Sequence, residues 1–547
     1  MKIIAKCFAL LLFVATYTAT QAQDTTITIQ DVTVVSDYIP FLAPANKETT
    51  PPVAEQPVAK LPSLTYSIIP VQFITTSRLD IPKALQMGKN HVPVLKYNHI
   101  RLGFGNYTSP LAEVYFHNLR NEYGAYGVSF KHLSANGPDN AKFSDNTANI
   151  FGKRFFKRGT LYAGVDYARN AVRYYGLNDT LPYTLSEDND STKQVFNTIA
   201  AHGGWESHEW GRHKMKFTSD VAYYNLTDKW GVQENDLLIN GSFKTNIKKR
   251  DVLRINLGYN YNAYQDSGVN LDRHFVNINP RYHLNEKKFK LALGFNSTIY
   301  SDTASPVFYF FPAIEGEYEI EKQNFVALAG ISGGLQKNSF RNYMLENPFM
   351  GNRNSLNNTV NRLQIYAGLR GNAGSNFGFT TRVFYNRYND MAVFIADSTI
   401  LRRFKPLFLD MDVVRFNAEI GYQYSEKVRI NLSGNFYSYN VSDSAQKAWQ
   451  LPTAEIKLNT TYNIGNKLLF TADVFFMNQR PVTTEFATVA APNLDAFADF
   501  NLGMEYRYRK TLSLFLTVNN ISSVRYQRWY NYPVLGINVM GGITFSL

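Results

Sequence analysis

The chain has 547 residues, of which 45% are hydrophobic, 18% charged and 15% aromatic, with 36 Tyr, 39 Phe, a single Cys and a formal charge of +12. Mean hydropathy is −0.27, and past the extreme N-terminus no run approaches the ~18 consecutive apolar residues of a membrane helix, so a helical membrane protein is excluded. The wealth of Tyr and Phe excludes a disordered chain, which leaves a large soluble β protein or a transmembrane β-barrel.

Taken in chain order, the first expectation is a secretory signal peptide over residues 1–22. Lys2 and Lys6 precede the apolar stretch 8–15, and Thr20-Gln21-Ala22 offers small residues for cleavage. Cys7 leaves with it, so the mature chain has neither a disulfide nor a thiolate metal site. Residues 23–95 read as a Pro-rich N-terminal arm. Pro40, Pro44, Pro51, Pro52, Pro57 and Pro62 each remove a donor that a sheet ladder needs. Residues 27–35 could form one short strand. The rest is an extended segment suited to inserting in a lumen or docking on a partner.

From residue 96 to the end, period 2 takes over. Val428, Ile430, Leu432 and Phe436 alternate with Arg429, Asn431, Ser433 and Asn435. Leu253, Ile255 and Leu257 alternate with Arg254, Asn256 and Gly258, and Phe500, Leu502 and Met504 with Asn501, Gly503 and Glu505. Side chains on a strand point to opposite faces in turn, so each segment carries one apolar and one polar face. Short turns are expected near Asn121, Arg158, Gly211, Lys248, Glu286, Lys322, Gly374, Ser425, Gly465 and Arg509. Between them lie connections that are usually longer, the largest at 168–193, 336–361, 389–409, 478–493 and 521–534. Short turns at one end and long loops at the other mark an outer-membrane barrel and set this reading above a soluble sandwich. Ten such turns join eleven hairpins. The fold class is therefore all-β: a transmembrane antiparallel β-barrel of about 22 strands with a short Pro-rich arm, located in the cell outer membrane. Each strand with its connection receives roughly 20 residues, against the ~9–11 a spanning strand needs. The apolar face meets lipid while the polar face lines the lumen, which keeps mean hydropathy below zero.

The final stretch carries the most specific motif. Val518-Asn519-Asn520-Ile521, Tyr526, Trp529, Tyr532-Pro533, Gly536 and Gly541-Gly542-Ile543-Thr544-Phe545 resemble the closing hairpin of TonB-dependent receptor barrels. Asn347-Pro348 and Leu356-Asn357-Asn358 are similar to that family as well. The resemblance implies the same strand number. It also implies that Phe545 is the terminal aromatic read by the barrel-assembly machinery, although Leu547 is the last residue. Such receptors carry a plug of well over a hundred residues before the barrel, and only residues 23–95 are present for one. The chain is thus similar to plugless receptor-like barrels of the Bacteroidota, with no full plug domain. Asp31-Val32-Thr33-Val34-Val35 resembles the segment that receptors present to TonB, which makes Val32, Val34 and Val35 candidate TonB contacts.

No spacing singles out a catalytic, cofactor or metal site. Gly330-Ile331-Ser332-Gly333-Gly334 matches the G-x-S-x-G pattern, but that motif works on a strand-to-helix elbow and here falls in a barrel strand. His202, Glu206, His208, Glu209 and His213 lack the helical spacing of a zinc-binding pair and read as a turn with incidental histidines. Arg254, Arg429, Arg507 and Arg509 are placed on the lumenal face, where they would favour anionic solutes or simply be solvated. No nucleic-acid module is present.

The expected function is that of a receptor-like barrel for solute binding or transport, not an enzyme. Aromatic loop residues Tyr174, Tyr175, Phe340, Tyr343, Phe349, Trp529 and Tyr530 are the candidates for solute capture. The alternative is a structural or accessory subunit of an envelope assembly or secretion complex, with the arm as its docking segment. Expected partners are outer-membrane lipid, the barrel-assembly machinery, and TonB or an envelope-complex protein.

Overall fold

The computed structural model describes residues 96–547, apart from 119, 177–191, 249, 303–304, 322–323, 353, 398–402 and 484–492. The signal peptide, the Pro-rich arm and the candidate TonB contacts Val32, Val34 and Val35 lie outside the described residues. No described helix is long and apolar enough to cross a membrane. Twenty-two strands form one antiparallel sheet in which each strand pairs with its neighbour in sequence. The sheet closes because the first strand, Asn98–Gly105, pairs both with the second and with the last, Asn538–Ser546. Closure leaves no unpaired edge, the condition a sheet must meet inside hydrocarbon.

The two-residue rhythm is realised as two faces. Leu257 and Leu502 are 51% and 53% exposed on the outer face. Asn260 and Asn262, on the opposite face of the Val252–Asp266 strand, are buried. An apolar exterior around a polar interior is the architecture of an outer-membrane barrel.

Nine of the ten expected short turns fall between consecutive strands, and the one at 322–323 lies outside the described residues. At 464–467 the turn chemistry is explicit. Gly465 and Asn466 both have φ of +57°, and the Lys467 N–H donates to the Ile464 carbonyl at 3.1 Å. Two left-handed central residues match the twist of the flanking strands, which is why Gly and Asn occupy them. The long connection expected at 389–409 is mostly strand instead. Phe377–Ala396 and Phe404–Tyr424 pair through it, from Met391↔Leu409 to Ala396↔Phe404. A register shift between Tyr388 and Met391, with Asp390 at φ +53°, interrupts the alternation and hides the continuation from a sequence reading. Buried Val393 and Met411 pack inside this extended hairpin.

At the seam, Gly103 lies opposite Gly542. A Cβ on Gly542 would stand 2.1 Å from the Leu102 carbonyl oxygen and 2.6 Å from the Phe515 ring. The glycines leave room for Phe515, over which the Arg101 guanidinium lies 4.0 Å from the ring centre. Phe545 faces outward in the last strand, paired with Ile100 on one side and Leu512 on the other.

The G-x-S-x-G match sits mid-strand in Phe325–Gln336. Buried Ser332 donates to Gln364 Oε1 at 3.2 Å, and a Cβ on Gly330 would meet the Tyr366 ring at 2.4 Å. The histidine group is dispersed. His202 Nδ1 is 3.1 Å from Asp166, while His208 and His213 approach the carbonyls of Lys157 and Asn246. Arg429 and Arg507 lie on strands, whereas Arg509 belongs to the turn beyond the strand end.

Candidate functional site

The connection 337–358 is built to fold inward. Ser339 caps the helix Phe340–Glu346 by accepting the Asn342 N–H at 3.2 Å. Phe340, Tyr343 and Met344, three and four residues apart, share the buried face. Phe340 meets Phe196 and Tyr264 of the barrel wall, with ring centres 6.1 and 6.0 Å away. After the helix, Asn347 Oδ1 accepts the Phe349 N–H at 3.0 Å and turns the chain back.

Phe349 then stacks on Tyr532 with centroids 3.6 Å apart, and Tyr175 packs edge-on against Tyr532 at 4.9 Å. Trp529 lies edge-on to Phe394 at 5.5 Å and tilted to Phe404 at 5.7 Å. Tyr174 donates to the Met350 carbonyl at 2.8 Å, and Tyr175 to that of Pro533 at 3.0 Å. The structure brings all seven nominated aromatics into one assembly. Tyr174, Phe340, Tyr343, Phe349 and Trp529 lie in its buried core, with Tyr175 and Tyr530 packed against it. As a set they form the inside of a cap rather than a displayed surface. Wall residues Phe196, Leu226 and Tyr264 belong to the same cluster, so the connections are seated on the inner face of the barrel.

Beneath the aromatics lies a polar latch that sequence reading missed. Fully buried Glu234 accepts the backbone N–H groups of Phe340 and Arg341 at 3.2 and 2.9 Å. Asn262 donates to both Glu234 and Asp236 at 3.0 Å. Lys337 forms an ion pair with Asp236 and donates to Asn260 at 2.8 Å. Fully buried Arg273 donates to Asn262 Oδ1 at 2.6 Å and to the Leu356 carbonyl at 2.7 Å. Two acids thus face two bases, and the loop is tied to the wall at its start and near its end. Burial pulls the Lys337 pKa below the ordinary lysine value, against the smaller opposing pull of Asp236.

A second tie joins two other connections. Arg480 donates through both terminal nitrogens to the carbonyls of Arg528 and Gln527, each at 2.5 Å. Burial, reinforced by the Arg528 charge, lowers its pKa to about 10. The arrangement ties the connections at one end of the barrel to the wall and to one another. Among the described residues no group of His, Cys, Asp or Glu could hold a metal ion.

No family model matches the sequence, and no curated protein matches it. Solved structures do. The FrpB iron transporter from Neisseria meningitidis (F3-3 variant) aligns with a TM-score of 0.67 at 8% identity, covering 82% of this chain and 81% of that one. The ferric-catecholate import receptor Fiu from K12 E. coli aligns at 0.65 and 9% identity, covering 84% and 82%. The ferripyoverdine receptor of the outer membrane of Pseudomonas aeruginosa, bound to ferripyoverdine, aligns at 0.63 and 12%, covering 84% and 73%. At such identities the likeness establishes the fold: this chain has the closed 22-stranded barrel that those outer-membrane proteins share.

Proposed function

We propose that this protein is an outer-membrane receptor-like barrel that binds a solute at its looped end and passes it through the lumen. The observation that carries the reading is the latched cap. A barrel of this strand number leaves a lumen wide enough to conduct unless something fills it, and in this reading the inward-folded connections and residues 23–95 fill it together. In this reading a solute engages the cap and displaces the aromatics Tyr174, Tyr175, Phe340, Tyr343, Phe349, Trp529 and Tyr530. The fold shared with iron transporters and siderophore receptors supports transport in general. TonB is the proposed energy source, with Val32, Val34 and Val35 as its contacts. Phe545 is the proposed signal for the barrel-assembly machinery.

Single-channel recordings of the mature chain, and of a form lacking residues 23–95, test the proposal. Low conductance in the full chain and a large rise on truncation would support a gated transporter with the arm as part of the gate. Silence in both forms, together with a stoichiometric envelope partner after mild-detergent purification, would overturn it in favour of a structural subunit.

A further inference from the structure

Near the short-turn end, four basic residues stand side by side on the inner wall. Lys216 is the direct cross-strand partner of Lys244, Lys244 of Arg254, and Arg254 of Arg281. Directly opposed residues share a face, and this face is the inward one, because Phe217 and Leu257, one and three residues along, are exposed on the outside. With strands about 4.8 Å apart, the row spans about 15 Å. Like charges directly opposite one another destabilise a sheet, so the row needs a compensating partner.

Protein acids supply only part of it. Glu206 pairs with Lys216, and Glu209 with Lys244 at 3.3 Å. Arg281 donates to neutral acceptors, the Phe295 carbonyl and Asn296 Oδ1, each at 2.6 Å, and Glu315, on the same inner face, is the acid that acts on its charge. The Arg254 guanidinium makes no hydrogen bond or ion pair among the described residues, and its strand neighbours across the row are Lys244 and another arginine. His283 stands within reach of both arginine charges.

We infer that Arg254 and Arg281, flanked by Lys244 and His283, form an oxyanion site on the lumenal wall, for a solute bearing a phosphate or carboxylate group. Arg281, fixed by its carbonyl partners, provides the anchored charge. Arg254, unpaired and adjacent, provides the fork that closes on the anion. The site deepens the transport reading by naming a solute class. It can nevertheless be tested without any conduction.

The test is the unfolding midpoint of the detergent-solubilised full chain, read by heat-modifiable gel mobility. Inorganic phosphate is compared with sodium chloride of equal ionic strength, and with phosphatidylglycerol added to the micelle. Phosphate is expected to raise the midpoint by roughly 2–4 °C more than chloride. Arg254→Gln should lose that increment while keeping its midpoint in chloride, or raising it as like-charge repulsion falls. Arg254→Lys should keep part of the increment, and Lys427→Gln, in a distant turn, all of it. Equal midpoints in phosphate and chloride would overturn the inference. So would a phosphate increment that survives Arg254→Gln, a response to phosphatidylglycerol alone, or a lower midpoint of Arg254→Gln in chloride, which would make Arg254 a structural residue.

Discussion

The Glu234 carboxylate, set in the barrel wall, accepts the backbone N–H of Arg341 at 2.9 Å across 107 residues of chain. A second bond from the Phe340 N–H places a full negative charge against the first turn of the cap helix. Charge-assisted bonds to unsatisfied helix donors are about twice as strong as neutral ones. Glu234→Gln keeps an acceptor in place but loses the charge, and is expected to weaken cap docking by about 1–2 kcal/mol. Faster amide hydrogen exchange over 337–358, with unchanged exchange in the strands, is the readout.

Lys337→Met removes one partner of the buried pair with Asp236 and leaves two acids facing one base. Breaking a buried pair from one side costs about 3–5 kcal/mol, so this variant should open the cap more than Glu234→Gln does. The expected results are trypsin cleavage at Arg341 in the folded barrel and a rise in single-channel conductance. The double variant Lys337→Met, Asp236→Leu should recover much of the loss.

The stack of Phe349 on Tyr532 joins two connections far apart in sequence. Phe349→Ala should loosen the cap by about 3 kcal/mol through the void it leaves. A double-mutant cycle with Tyr532→Ala should return a coupling of about 0.5–1.5 kcal/mol, the usual worth of an aromatic pair beyond its burial. Additive effects would place the two rings in independent units.

Arg480 reaches two successive carbonyls with one planar fork. Lysine keeps the charge but not that geometry. Arg480→Lys is therefore expected to cost about 1–2 kcal/mol of local stability, seen as faster exchange in 520–537 while the latch at 337–358 is unaffected.

Gly542→Ala inserts a methyl against the Leu102 carbonyl and the Phe515 ring. Overpacking of this kind costs about 1–3 kcal/mol, and it acts on the pairing that completes the barrel. The folded fraction on semi-native gels should drop. Gly316→Ala, whose added carbon would find its nearest neighbour at 3.8 Å, should fold as the parent does.

The barrel was legible in the sequence because its two determinants are local. Alternation assigns faces, and Gly465-Asn466 or Lys157-Arg158 punctuate neighbouring strands whatever the rest of the chain does. The extended hairpin through 389–409 was not legible, because the bulge at Asp390 breaks the rhythm that would have announced it. The seven aromatics were recognisable as loop residues, but their mutual burial depends on three connections meeting over the lumen. Glu234, Asp236, Arg273 and Lys337 were invisible for the same reason. Period 2 marks Glu234 and Asp236 as lumenal polar residues, but nothing near them in sequence identifies a loop a hundred residues downstream as their partner.

The pairing of His99 with Ser546 has a consequence for biogenesis. Those residues are separated by 447 positions, and closing so long a loop carries an entropic cost that no local contact offsets. The first strand must therefore wait, with one hydrogen-bonding edge bare, until the last has been delivered. During that interval the edge is open to any passing strand. Pairing of the two terminal strands is thus the step that abolishes the bare edge, and it cannot precede synthesis of the final residues.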